Sequence, residues 1–287
     1  HKVPVVEKDL RVKKGMNTYE IDLSMGNDFL TWDEFSPALY RLTAVVTGRY
    51  GTETKHVEFG MREFKIEGKW FYVNGRKTML RGTVENCVFP LTGYAPMDVE
   101  SWERVFRICR EYGLNHMRFH SYCPPEAAFQ AADRTGFYLQ PEGPSWPNHG
   151  PKLGLGQPID KYLMDETIAL TKAYGNHASF CMLACGNEPS GRWVEWVTKF
   201  VDFWENTDSR RVYTGASVGG SWQWQPRNQY HVKAGARGLT WAKQQPESMS
   251  DFRANIDTVS QPFVSHETGQ WCAFPNFNEI RKYTGVN

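Results

Sequence analysis

Two apolar runs in this chain end on carboxylates. The segment FCMLACGNE (180–188) closes on Asn187-Glu188, and PFVSHE (262–267) closes on His266-Glu267. A pair of glutamates facing one another can hydrolyse a glycoside. One carboxyl, protonated, helps the leaving oxygen depart; the other, ionised, attacks the anomeric carbon, with retention of configuration when the two stand about 5 Å apart. A single glutamate at a strand end is more often a hydrogen-bonded structural residue, so the pair is what carries weight. Flat apolar side chains add to it. The chain is 14% aromatic, with 11 Trp, 13 Tyr and 17 Phe, many beside Gly, Pro or Asn where loops are expected. Sugar faces stack on such rings.

Both glutamates must then be presented at one mouth. From residue 78 onward, short apolar runs alternate with amphipathic helical segments. The runs are 78–82, 116–121, 137–142, 180–188, 211–217, 228–232 and 262–267; the helical segments are 98–112, 124–135, 160–174, 191–206 and 248–256. In 98–112, Val99, Trp102, Val105, Phe106 and Cys109 form one apolar face. Seven strand-like runs with helices between them predict an α/β chain with a (β/α)8 TIM barrel, whose catalytic residues sit at the C-terminal ends of its strands. A doubly wound open sheet is the alternative, but no strand leads into a phosphate-cradling glycine fingerprint. Residues 1–66 instead carry short alternating segments, at 17–23, 38–48 and 55–68, that predict antiparallel strands of part of a β-sandwich. A hairpin is expected at Trp70 to Arg81, around the Asn74-Gly75 turn.

Composition narrows the classes. Of 287 residues, 33 are Lys or Arg and 32 are Asp or Glu, for a net charge of +1, which argues against nucleic acid as a partner. No apolar stretch approaches the roughly 18 residues of a membrane span, and the six cysteines show neither a CxxC pair nor zinc-ligand spacing. Cys181 and Cys185 are read as buried small side chains on one side of a strand. The lack of any Asn-x-Ser/Thr argues against eukaryotic secretion and says nothing about a bacterial periplasm; a bacterial periplasm or exterior is the expected location.

Several motifs together resemble glycoside hydrolase family 2, the β-galactosidase, β-glucuronidase and β-mannosidase family. Trp32 with Pro37-Ala38-Leu39-Tyr40, Phe59-Gly60-Met61-Arg62, and Phe71-Tyr72-Val73-Asn74-Gly75 leading to Leu80-Arg81-Gly82 resemble its passage from an immunoglobulin-like sandwich into the barrel. Gly113-Leu114-Asn115-His116-Met117-Arg118, Ala132-Asp133 with Gly136-Phe137-Tyr138, and Gly186-Asn187-Glu188 are similar to its barrel motifs. The resemblance implies that Glu188 is the general acid/base and Glu267 the nucleophile of a covalent glycosyl-enzyme mechanism. The proton on Glu188 would be favoured by partial burial or by the neighbouring Glu267. Asn187 would bond the sugar 2-hydroxyl, and Asn228-Gln229-Tyr230 resembles the family's Asn-x-Tyr, whose phenol would hold the nucleophile; a core-edge tyrosine is the plainer reading of Tyr230. Arg118 is either a support for the nucleophile or a structural ion pair. Glu142 is pocket scaffolding, a hydroxyl acceptor or half of an ion pair. His120 is a hydroxyl contact or a backbone-bonded core histidine, and His266 lines the pocket or points into the wall. One or two of Trp146, Trp222, Trp224, Trp241 and Trp271 are expected to stack on sugar.

Departures from the family pattern concern the sugar. Thr83-Val84-Glu85-Asn86 replaces the Asn and His usual in β-galactosidases, and His120-Ser121-Tyr122-Cys123-Pro124 stands where Ser-His-Tyr-Pro is usual. The expected activity is that of an exo-acting retaining β-glycosidase on a terminal sugar of an oligosaccharide or glycan. β-Galactosidase is the first assignment and a β-glucuronidase or related uronidase the second. A catalytically silent carbohydrate-binding relative is the alternative of another class, disfavoured because binding alone needs no opposed carboxylates. No organic cofactor, no membrane and no metal-ligand set are expected, although the resemblance allows Mg²⁺ or Na⁺ and a homo-oligomer. The domains expected are 1–66, the C-terminal part of a sandwich, and 67–287, barrel strands one to seven. So few residues follow the seventh strand that the chain is expected to be part of a longer polypeptide, truncated before the eighth.

Overall fold

The computed structural model describes residues 5–215, 227–232, 251, 253–267 and 276–283. The first regular element is a hairpin of two nine-residue strands, β1 (Tyr40–Gly48) and β2 (Gly51–Phe59), paired from Tyr40 with Phe59 to Gly48 with Gly51. Gly51 takes a φ of 141° to leave the turn. A three-stranded antiparallel sheet follows: β3 (Phe64–Glu67), β4 (Trp70–Val73) and β5 (Arg76–Thr78). Asn74 (φ 51°) and Gly75 (φ 75°) make the turn between β4 and β5, left-handed positions that Asn and Gly tolerate.

Among the described residues seven strands follow: β6 (Gly82–Glu85), β7 (His116–Phe119), β8 (Tyr138–Gln140), β9 (Met182–Ala184), β10 (Val212–Thr214), β11 (His231–Val232) and β12 (Phe263–Val264), with β6–β7, β7–β8, β9–β10 and β11–β12 paired in parallel. Helices α1 (Val99–Glu111), α2 (Glu126–Thr135), α3 (Pro158–Tyr174), α4 (Trp193–Thr207) and the short α5 (Arg253–Ile256) lie between them. Each strand neighbours the next in sequence. β6, β7 and β8 form one sheet; bridges at Leu139–Phe180 and Glu142–Ala184 join β8 to β9; β9 pairs with β10; and Gln229 N donates to Tyr213 O, linking the β11 approach to β10. β11 pairs with β12. A doubly wound sheet would reverse direction from its first strand, so this order decides for the barrel.

Alternation along the strands sorts the side chains. On β7, Met117 and Phe119 join the outer core with Trp102 and Phe106 of α1 and Phe129 of α2. His116 and Arg118 take the opposite face, into the barrel. A second cluster, containing Phe64, Phe71, Val73, Tyr138, Met182, Val212 and Tyr230, sits at the N-terminal ends of the strands. The β3–β4–β5 sheet thus floors the barrel at the end opposite the site. Trp32 fixes that floor, with no exposed surface and Nε1 donating to Asp133 O at 2.7 Å.

Several sequence expectations shift. The first barrel strand is Gly82–Glu85 rather than 78–82, because Thr78 closes the hairpin and Arg81 N is drawn off to Asn115 Oδ1 at 2.7 Å. Pairing in the 180–188 run stops at Ala184, and Gly186 turns at φ 153°. Cys181 and Cys185 are both buried, as expected, but Cys181 joins the floor cluster and Cys185 the outer core, because the strand ends between them. Among the described residues, no helix is long and apolar enough to cross a membrane.

Candidate active site

At the C-terminal end of the barrel, Arg118 holds three partners. Its Nε and Nη2 donate to Glu142 Oε1 at 2.6 Å and Oε2 at 3.2 Å, Nη2 also donates to Asn187 Oδ1 at 2.9 Å, and Nη1 to Glu267 Oε1 at 3.2 Å. Its side chain is 2% exposed and Glu142 is wholly buried. Burial works against the guanidinium's charge, but the carboxylates of Glu142 and Glu267 outweigh it and raise the arginine's pKa. Ser121, left-handed at φ 58°, turns its N–H onto Glu142 Oε2 at 2.8 Å. Glu142 is therefore the ion-pair scaffold among the readings open to it, and Arg118 serves both scaffold and nucleophile candidate.

Glu188 is held from another side. It sits at φ 39° in the turn after β9, and its Oε2 accepts from Trp146 Nε1 at 2.5 Å and from Asn148 Nδ2 at 3.3 Å. His149 Nε2 stands 3.8 Å from the same oxygen. Two chains of contacts join the glutamates. Asn187, next to Glu188, meets Glu267 through Arg118; and His120, with Nε2 3.8 Å from Glu267 Oε1, packs edge-on against Trp146 with ring centroids 5.0 Å apart. The structure thus brings Glu188, Glu267, Asn187, Arg118, His120 and Glu142 to one mouth. Asn187 Nδ2 is buried with no hydrogen-bond partner, a donor still to be spent.

Two of the expected residues play other parts. The Tyr230 hydroxyl makes no hydrogen bond, and its ring packs on Phe71 at 6.0 Å in the floor cluster. In this structure it makes no hydrogen bond to Glu267. Burial, with Glu142 adding to it and Arg118 opposing, raises the phenol's pKa well above 10. Asn228 Oδ1 accepts from Gly215 N at 2.9 Å, so it ties β10 to the start of β11. His266 points inward: its Nε2 lies 3.1 Å from Gln140 Nε2, and burial, then the charge of Arg118, pushes its pKa well below 6.5. Trp271, like Trp222, Trp224 and Trp241, lies outside the described residues.

Sequence reasoning missed Asn148 and His149 beside Glu188, the Trp146 N–H, and Glu85 at the end of β6. Glu85 Oε1 accepts from Cys87 N at 2.8 Å while its Oε2 is buried without a partner, and burial raises its pKa against the pull of backbone N–H groups. The strand-end rule that found Glu188 applies equally to Glu85 and to the loop after β8. Among the described residues, no group of three or more His, Cys, Asp or Glu side chains is arranged to hold a metal ion.

Residues 64–271 match the family model described as "Glycosyl hydrolases family 2, TIM barrel domain". The chain belongs to glycosyl hydrolase family 2. Among curated relatives it is 24% identical over 207 residues to a β-galactosidase of Streptococcus thermophilus, covering 67% of this chain and 20% of that protein. It is 26% identical over 189 residues to a putative β-glucuronidase of Formosa agariphila, covering 65% and 22%. A solved β-glucuronidase from Ruminococcus gnavus shares the fold with a TM-score of 0.70 at 22% identity, over 84% of this chain and 44% of that one. The chain thus spans about a fifth of the length of these two curated relatives.

Proposed function

We propose that this chain is the catalytic barrel of an exo-acting retaining β-glycosidase that removes a terminal sugar from an oligosaccharide or glycan. The observation that carries the reading is the double linkage of Glu188 to Glu267, through Asn187–Arg118 and through Trp146–His120, at the end of the barrel where family 2 chains carry their site. In the first step Glu267 attacks the anomeric carbon and forms an ester bond to the sugar as the glycosidic C–O bond breaks. The proton of Glu188 passes to the departing oxygen, which leaves as an alcohol. In the second step Glu188, now a base, takes a proton from water; the water oxygen bonds to the anomeric carbon and the ester to Glu267 breaks. Arg118 holds the nucleophile, and Asn187 Nδ2 donates to the sugar 2-hydroxyl, an interaction that strengthens as the ring flattens. No step needs an organic cofactor or a metal.

β-Galactosides are the first substrate class, supported by the names of relatives such as the Streptococcus protein. β-Glucuronides are the second, supported by the Formosa relative. The β1–β2 hairpin is read as the end of an immunoglobulin-like sandwich preceding the barrel, supported by its antiparallel nine-residue strands. A panel of 4-nitrophenyl glycosides tests the function. Turnover of the β-galactoside supports the first assignment and turnover of the β-glucuronide the second. Binding of sugars without turnover of any member would replace the enzyme with a carbohydrate-binding relative.

A further inference from the structure

The loop after β8 runs beside the turn after β9 as a second rail. Gly143 N donates to Ala184 O (3.0 Å), Asn187 N to Ser145 O (2.8 Å), Asn148 N to Glu188 O (3.0 Å) and Leu153 N to Ser190 O (3.0 Å). The two segments cannot spread locally, and a Cβ on Gly186 would come within 2.5 Å of Ser145 O. On this rail stands Trp146, whose indole makes T-shaped contacts with His120 (5.0 Å, 71°) and His149 (4.6 Å, 75°) and is nevertheless 41% exposed. Its one polar group, Nε1–H, is spent on Glu188 Oε2. What the indole has left to offer a ligand is apolar surface.

We infer that Trp146 is a positioning residue for Glu188 and the wall of the subsite that receives the leaving group, which is of a class that presents a ring, pyranose or aryl, to stack on the indole. The inference rests on Glu188 being the acid/base. Because Oε2 accepts from both Trp146 and Asn148, the transferable proton belongs on Oε1, and the carboxyl plane is fixed by the indole edge. Trp146 therefore matters where the leaving oxygen needs a proton and matters little where it does not.

The test compares kcat/KM for two glycosides of one sugar: the 2,4-dinitrophenyl glycoside, whose leaving group departs unprotonated, and the 4-methoxyphenyl glycoside, whose leaving group needs the acid. Trp146→Phe keeps a ring and removes the N–H. It is expected to lower kcat/KM on the methoxyphenyl substrate by about 10- to 100-fold, the worth of one hydrogen bond to an ionised group, with a change under about 3-fold on the dinitrophenyl substrate. Trp146→His, which can restore an N–H, recovers part of that loss. Trp146→Ala raises KM for both substrates by removing the wall. Equal losses on both substrates in Trp146→Phe, or no loss on either, overturn the inference. If Trp146→Phe does not fold, Trp146→Ala, which also lacks the N–H, takes its place: a ratio of kcat/KM between the two substrates equal to that of wild type overturns the inference in the same way. Glu188→Ala separates this outcome from failure of the underlying reading. A leaving-group-dependent loss there without one in Trp146→Phe removes only the inference, whereas equal losses in Glu188→Ala remove the acid/base assignment and the inference with it.

Discussion

Arg118 meets Glu142 through two N–H groups, Nε at 2.6 Å and Nη2 at 3.2 Å, in a place where the carboxylate has no exposed surface. The guanidinium remaining on Nη1 and Nη2 is thereby aimed at Glu267 and Asn187. Glu142→Ala strips the buried guanidinium of its bidentate partner and leaves it the longer contact to Glu267, so it should destabilise the fold by about 3 kcal/mol in denaturant unfolding, and Glu142→Gln by less. Unchanged stability in Glu142→Ala would show that the pair is not a scaffold.

Exchange of the two glutamates should have opposite signatures. Glu267→Ala removes the nucleophile and should reduce turnover by about 10⁴-fold or more, with added azide giving the glycosyl azide of inverted configuration. Glu188→Ala should reduce turnover of unactivated substrates by about 10²- to 10⁴-fold, with azide giving the retained product. Product NMR distinguishes the two, and identical anomers would reverse or void the assignments.

Gly186 sits at φ 153° with Ser145 O where a Cβ would go. Gly186→Ala should push the Trp146 loop from Glu188, and a displacement near 1 Å can cost about 10²-fold in rate. Full activity of that variant on the 4-methoxyphenyl glycoside would mean the two rails are not held in register by this contact.

Burial first, and the charge of Arg118 second, hold His116 at about 4 rather than near 6.5. The unfolded chain therefore binds the extra proton between those values and the folded one does not. This contribution leaves stability untouched above pH 6.5 and erodes it as pH falls toward 4, at about 1.4 kcal/mol per pH unit and about 3 kcal/mol in all. His266, also depressed, acts with the same sign. Urea midpoints measured from pH 7 to 4 should show the fall, and His116→Gln should flatten it; an equal slope in the variant would refute the role of His116.

Phe71 joins the floor sheet to the barrel, with ring centroids 5.7 Å from Phe64 and 6.0 Å from Tyr230. Phe71→Ala should cost about 3–5 kcal/mol by leaving a cavity beneath the strands. A loss below 1 kcal/mol in chemical denaturation would show that the floor is not part of the barrel's folding unit.

Much of this molecule was legible from its residues taken in order. The alternation of short apolar runs and amphipathic helices pointed to barrel strands with helices between them, and the structure sorts β7 with Met117 and Phe119 in the outer core and Arg118 inward. Strand-end position was enough to nominate Glu188, Glu267 and Glu142, because in a barrel every such residue shares one mouth. Local pattern could not say how deep a side chain sits or which of its neighbours it meets. Tyr230 and Arg118 both occupy inward positions near the ends of strands, yet Tyr230 lies against Phe71 at the floor while Arg118 reaches three partners drawn from positions 142, 187 and 267. The partner of Glu188 is likewise a tryptophan forty-two residues earlier, brought there by bonds between two loops with no sequence period of their own. Periodicity is a property of one segment, whereas hydrogen bonds and ion pairs between segments depend on distances that only the tertiary packing of the barrel sets.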